Sequence, residues 1–266
     1  MKKLILFIIA FPSFILAQEK NKLIFGINTG TYLANNKTAY FYDGAKNVFS
    51  NSNYANQIKE SLSLDVSGPL PNYSFPNNLK YNPGVEIGIH IGKEIQNSKI
   101  YIDINFAQLK AQGIGTIELE NTNNMSTDPE YRQFGMIGKE KRNMINIGYQ
   151  KNIFKESNFS LSIPLFFQTI KVELEKNTVI IEEIQYSVTN FSNLNQSRNQ
   201  QKLGIGFGSG FVLNYFINKD VSFDLGYHGQ FSQTNFSEDL KPWGMQNSIF
   251  VRLVINGTDY LKKMMN

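Results

Sequence analysis

The sequence predicts an all-β fold, a transmembrane antiparallel up-and-down β-barrel of eight strands with short turns at one end and long loops at the other. Three observations predict it. The first is the stretch Leu203 to Ile217, LGIGFGSGFVLNYFI, whose odd positions are almost all apolar while Gly204, Gly206, Gly208 and Gly210 open the other face. Side chains alternate across a strand, so this period-two segment easily covers the roughly 9 to 11 residues that a tilted membrane strand needs. A glycine row would cover a soluble sheet poorly. Inside a narrow closed barrel it makes room for bulky residues from other strands. The second observation is that other segments alternate in the same way. The third is that their connections alternate strictly between long and short, as in an even-stranded membrane barrel with both ends on one side.

Taken in order, strand one sets Leu23, Phe25 and Ile27 against Gly26, Asn28 and Gly30. From Ala34 to about Tyr81 periodicity fails and Asn, Ser, Tyr and Pro accumulate, so a long structureless loop is expected, a kind that is usually functional or mobile. Strand two carries Val85, Ile87, Ile89 and Ile91 outward, and after a tight turn centred between Gln96 and Asn97 strand three carries Ile100, Ile102, Ile104 and Phe106. So short a link makes these a hairpin. Residues 113 to 138 read as irregular. Strand four has Ile145, Ile147 and Tyr149 outward, and strand five has Phe159, Leu161, Ile163, Leu165 and Phe167, with Pro164 calling for a bulge. Residues 173 to 201 again read as irregular, followed by the glycine-rich strand six. Strand seven places Val221, Phe223, Leu225 and Tyr227 outward, and strand eight Ile249, Val251, Leu253 and Ile255. Thr178 to Val188 has strand character of its own. We expect it to extend the barrel wall outside the membrane; the alternative is a ten-stranded barrel, with a further crossing near Ile58 to Val66. Tyr149 and Tyr215, near the short-turn ends, and Trp243, near the long-loop end, suit an aromatic girdle.

The N-terminus reads MKK, then the apolar run Leu4 to Ala17, then Gln18: a secretory signal peptide at residues 1–17, with the barrel spanning 18–256 and a tail at 257–266. No stretch reaches the roughly 18 apolar residues of a membrane helix. With no cysteine, a disulfide scaffold, a thiolate metal site and an acylated N-terminal cysteine are all excluded. The net charge of +4 owes half its value to Lys2 and Lys3, too little to argue for nucleic acid. A mean hydropathy of −0.28 suits a barrel that shows lipid only one face of each strand.

With this length, its C-terminal apolar strand and its loop alternation, the chain resembles the small OmpA/OmpX-type outer-membrane barrels. Its Asn-, Ile- and Lys-rich composition and its Ala17-Gln18 junction look like the PorT-like outer-membrane β-barrel family of Bacteroidota. The resemblance covers the mature chain and is one of pattern. It implies location in the bacterial outer membrane, contact with outer-membrane lipid, and in some members an accessory role in protein secretion. Such barrels commonly end on an aromatic residue read by the assembly machinery; here GTDYLKKMMN follows, leaving Phe250 or Tyr260 for that role.

An eight-stranded barrel is filled by its own side chains and is not a pore. Alternation assigns Glu86, His90, Asp103, Asp224, His228 and Arg252 to the lumen. Counting from the turns, His90 falls opposite Asp103 and Asp224 close to Arg252, so opposite charges meet across neighbouring strands. A zinc site needs three or four ligands and a triad needs a positioned nucleophile, so no catalytic, metal or cofactor site is assigned. His228 is the residue on which an enzyme reading rests. The glycines at 204–210 are not followed by a helix pattern, so they form no nucleotide loop. Lysines such as Lys22, Lys93, Lys99, Lys151, Lys155 and Lys219 collect at the short-turn end, a basic rim able to dock an acidic partner, whereas Glu118, Glu120, Glu173, Glu175, Glu182 and Glu183 lie in the long loops. The expected function is that of a non-enzymatic outer-membrane barrel, an accessory or interaction subunit of an assembly for protein secretion or barrel insertion. A lipid-modifying enzyme and a soluble lipocalin-like carrier are the alternatives.

Overall fold

The computed structural model describes residues 22–75, 79–119, 129–188, 203–236 and 241–257, so the expected signal peptide, Tyr260 and most of the tail lie outside it. In chain order the strands are β1 (Leu23–Leu33), the short β2 (Asn72–Ser74) and β3 (Lys80–Tyr81), β4 (Gly84–Ile95), β5 (Ser98–Leu119), β6 (Glu130–Glu156), β7 (Phe159–Ile181), the short β8 (Ile184–Ser187), β9 (Gly204–Phe216), β10 (Val221–Gln233) and β11 (Trp243–Asn256). β1 pairs with β4, and the ladder continues through β5, β6, β7, β9, β10 and β11 back to β1. All these pairings are antiparallel and the sheet closes. A closed sheet has no unpaired edge, which is the condition for a β structure to cross lipid.

The oily side of the wall is outside. Val85, Ile87, Ile89 and Ile91 on β4, Phe207, Phe211, Leu213 and Tyr215 on β9, and Ile249, Val251, Leu253 and Ile255 on β11 are exposed, while Arg252 between them is 1% exposed. A belt of this kind on every barrel strand far exceeds the apolar patches that soluble proteins expose, and lipid is the solvent it fits. The polar lumen does not suit a lipocalin-like carrier, which needs an apolar interior, so that alternative is set aside. Tyr149, Tyr215 and Trp243 stand outward near the ends of the belt, with Trp243 stacked on Phe231 at a ring separation of 5.3 Å.

Pro164 is accommodated without the expected bulge. The β7–β9 ladder passes from Ser162↔Val212 to Leu165↔Ser209 in unchanged register, and only Ile163 and Pro164 drop out of it. Ser209 Oγ donates to the Pro164 carbonyl at 2.8 Å in compensation. The bulge on this part of the wall lies on β6 instead, between Asn152 and Phe154.

Three strands outgrow the barrel. β6 has 27 residues, against the roughly 9 to 11 needed to cross. β4 leaves β5 at Val85↔Gln108, and β9 leaves β7 at Ile170↔Gly204; beyond those points β5, β6 and β7 continue as a wall, edged by the short β3 and β2 on β5 and by β8 on β7. The stretches read as irregular at 113–138 and 173–201 are therefore largely strand, as far as they are described. The wall keeps its alternation but exchanges its hydrophobic face. Within the belt the apolar residues of β5 point out (Ile100, Phe106), whereas beyond it Leu109, Ala111, Ile117 and Leu119 point in and are buried. Thr178 to Val188 belongs to this wall, as β7 turns at Glu182 and returns as β8. The barrel has eight strands, and Ile58 to Val66 makes no crossing.

The concave side of the wall is covered by the segment expected to be structureless. It folds as a 3-10 helix (Asn36–Tyr42) and two helices, α1 (Ala45–Phe49) and α2 (Ser52–Ser61). Asn35 and Asn51 accept hydrogen bonds from the first-turn amides of Lys37 and Asn53, and so start the 3-10 helix and α2. Val48, Phe49, Ile58 and Leu62 then pack on Phe134, Met136, Val179 and Ile181 of the wall. Phe49 stacks on Tyr73 at 4.3 Å, and Tyr54 donates to the Ser187 carbonyl at 3.1 Å. Burial of these side chains, each contributing about 1.5 to 3 kcal/mol, outweighs the weak helix propensity of so Asn-rich a segment.

Candidate functional site

The lumen carries two charged layers. In the lower one β11 aims Arg252 inward between β1 and β10. Its Nε donates to Asn28 Oδ1 at 2.6 Å, its Nη2 to Asp103 Oδ2 at 3.0 Å, and its Nη1 lies 3.8 Å from Asp224 Oδ2. Asp103 holds His90 as well, with Nδ1 2.5 Å from Oδ1, and the two residues are direct cross-strand partners, as are Asp224 and Arg252. Asn214 donates to Asp224 Oδ1 at 2.6 Å. Glu86 accepts from Ser248 Oγ. All six residues assigned to the lumen from the sequence thus point inward and are buried, and four of them, His90, Asp103, Asp224 and Arg252, form one network.

His228 stands apart from that network. Its ring sits between Phe166 (4.9 Å) and Phe250 (4.7 Å), closed in by aromatic faces rather than presented to an opening. The two phenylalanines fit because Gly208 lies beneath Phe166 and Gly226 beneath Phe250; a β-carbon at either glycine would collide with the ring. This is the use of lumen glycines that the sequence pattern implied.

The second layer lies where the barrel opens into the wall and was not found from the sequence. Arg142 and Glu140, both on β6 and both 0% exposed, form an ion pair of 2.6 Å between Nε and Oε1. Glu140 Oε2 also accepts from Tyr42 of the 3-10 helix (2.6 Å) and from Tyr81 of β3 (2.9 Å). Arg142 donates to Thr38 Oγ1 at 3.2 Å and to Gln246 Oε1, which also accepts from Tyr32. The helical cover is therefore tied to the barrel mouth by one buried ion pair. The available signal was parity: stepping back from Asn146 through Met144 puts Arg142 and Glu140 on the same inward face.

Burial, with the Glu140 carboxylate next in weight, pushes the Tyr42 and Tyr81 hydroxyls well above the usual 10.0. A folded-state value above the unfolded one gives stability that is complete below pH 10.0 and is lost as pH rises through the higher folded values. Limited proteolysis of residues 34–81 is therefore expected to accelerate only above about pH 10. A Tyr42→Phe/Tyr81→Phe variant should lose that pH dependence; unchanged dependence would show that other groups set it.

At the opposite, short-turn end the lumen opens as a cavity of about 400 Å³. Lys22, Lys99, Lys155 and Lys219 line it with Glu94 and Asp220. Lys99 is turned inward, 3.8 Å from Asp224 Oδ2, so part of the expected basic rim belongs to the lumen network.

No protein-family model and no curated protein sequence matches the chain. Among solved structures it is similar to the crystal structure of Neisserial surface protein A (NspA), with 9% sequence identity and a TM-score of 0.45, over 90% of this chain and 99% of that one.

Proposed function

We propose that this is a non-enzymatic barrel of the bacterial outer membrane, with its short turns in the periplasm, that works by holding a folded surface outside the bilayer. The observation that carries the reading is the wall of β5, β6 and β7 with its helical cover. It is a soluble-type core built on a membrane barrel and locked to it by Glu140 and Arg142. A lumen closed by its own paired charges leaves loops and wall as the working parts. The surface suits an accessory or interaction subunit of a larger outer-membrane assembly for protein secretion or barrel insertion. The PorT-like resemblance, which rests on composition and loop pattern, points the same way.

The test is purification of the tagged full chain from native membranes in mild detergent. A partner recovered in fixed ratio, and lost when residues 52–61 are replaced by a Gly/Ser linker, is the expected result. A solitary barrel whose deletion alters the acyl pattern of outer-leaflet lipid would overturn the reading in favour of a lipid-modifying enzyme.

A further inference from the structure

Just beyond the lipid belt the outer face of the wall turns basic. After Phe106 on β5 come Gln108 and Lys110 on the outward face; after Ile145 on β6, going toward the long-loop end, come Asn143, Lys141 and Lys139; after Phe167 on β7 come Thr169, Lys171, Glu173, Glu175 and Lys176. Two of these lysines are neutralised in place: Lys141 Nζ lies 2.5 Å from Glu175 and Lys171 Nζ lies 3.1 Å from Glu173. The remaining three share one row, because Lys110 is the cross-strand partner of Lys139 and Lys139 that of Lys176. Lys176 donates to Gln185 at 2.8 Å, and none of the three has an anionic partner among the described residues.

Like charges directly opposite one another weaken a sheet. A row of three is therefore a local cost unless an anion bridges it, and its height says which anion. Lys110 lies four residues past Phe106, about 13 Å along a strand at roughly 3.3 Å per residue, and less in height because membrane strands lean. A lysine side chain can bend its ammonium back toward the interface. The row faces sideways, over lipid whose tails would cover Phe106, Ile145 and Phe167, rather than upward to solution.

We propose that Lys110, Lys139 and Lys176 hold the phosphate of a phosphorylated lipid headgroup in the leaflet on the long-loop side. The inference rests on the outer-membrane reading above. Lysine binds phosphate as a point charge, and each ammonium near an anionic surface adds to retention of the lipid.

The test uses the full chain folded in detergent, with lipid A as the probe, in its phosphorylated and its dephosphorylated form, and retention read by native mass spectrometry. The wild type is expected to keep the phosphorylated form, and Lys110→Gln/Lys139→Gln/Lys176→Gln to lose retention by on the order of tenfold to a hundredfold. The two proteins should treat the dephosphorylated form alike. A Lys22→Gln/Lys155→Gln/Lys219→Gln variant, altered at the other end, should match the wild type, and a triple Lys→Arg variant of the row should keep binding. Equal retention by wild type and the first variant would overturn the inference. So would competition by inorganic phosphate at equal concentration, which would make the row a site for a free anion. Failure of the underlying membrane reading looks different: the wild type would not insert into lipid vesicles in a protease-protected form at all.

Discussion

Asp103→Ala is expected to lower the free energy of unfolding by about 3 to 5 kcal/mol, the range for removing one partner of a buried ion pair. Asp103 is 0% exposed, and its two carboxylate oxygens hold His90 and Arg252 in the lower lumen layer. Without it the Arg252 guanidinium keeps Asn28 and the longer contact to Asp224, which does not replace a hydrogen-bonded carboxylate. Asp103→Asn retains acceptor geometry for one partner but no charge, and should fall between alanine and wild type. Lys219→Ala at the exposed turn should change stability by less than about 0.5 kcal/mol. Urea titration of the barrel in liposomes, followed by tryptophan fluorescence of Trp243, measures all three. An Asp103→Ala midpoint equal to that of the wild type would mean that the lumen is wet enough to solvate Arg252 directly.

Arg142→Ala is expected to free the helical cover while the barrel stays closed. The substitution leaves Glu140 in a buried site with two tyrosine hydroxyls and no cation, and removes the donor that joins Thr38 to Gln246. The cost is again about 3 to 5 kcal/mol, but it falls on the docking of residues 34–81. Lysine cannot substitute, since one ammonium does not span three acceptors set by a planar guanidinium. The double variant Glu140→Gln/Arg142→Met, which removes both charges together, should be much milder. Hydrogen exchange reads the difference: amides in 36–61 lose protection in Arg142→Ala while those of β9 to β11 keep it. Loss of protection throughout the barrel would show that the pair supports the whole fold and not the cover alone.

What could be read from residues alone follows from where the outside of the strand is oily. In the belt, outward Ile, Phe and Leu mark every crossing, and parity then fixes the lumen residues down to the His90–Asp103 and Asp224–Arg252 partners. Past the belt the outer face leaves the lipid tails, and Gln108, Lys110, Gln112, Lys139 and Lys141 erase the signal. The information had moved to the opposite parity: Leu109, Ala111, Ile117 and Leu119 continue the strand with the apolar side turned inward. A search keyed to one face stops where the solvent changes, which is why Arg142 and Glu140 were missed. The helices of 36–61 are short and rich in Asn, and their apolar residues Val48, Phe49 and Ile58, with Leu62 at the C-cap, match the wall rather than an ideal amphipathic stripe. Their fold follows from a surface that only the closed barrel and its tall strands create.

The height of β5 has a consequence for reach. From Leu109 to Leu119 the strand climbs about 33 Å at roughly 3.3 Å per residue, more than the depth of a headgroup layer even after allowing for lean. Whatever meets the tip of this mast does so at a stand-off from the bilayer, without having to displace lipid or lie flat against it.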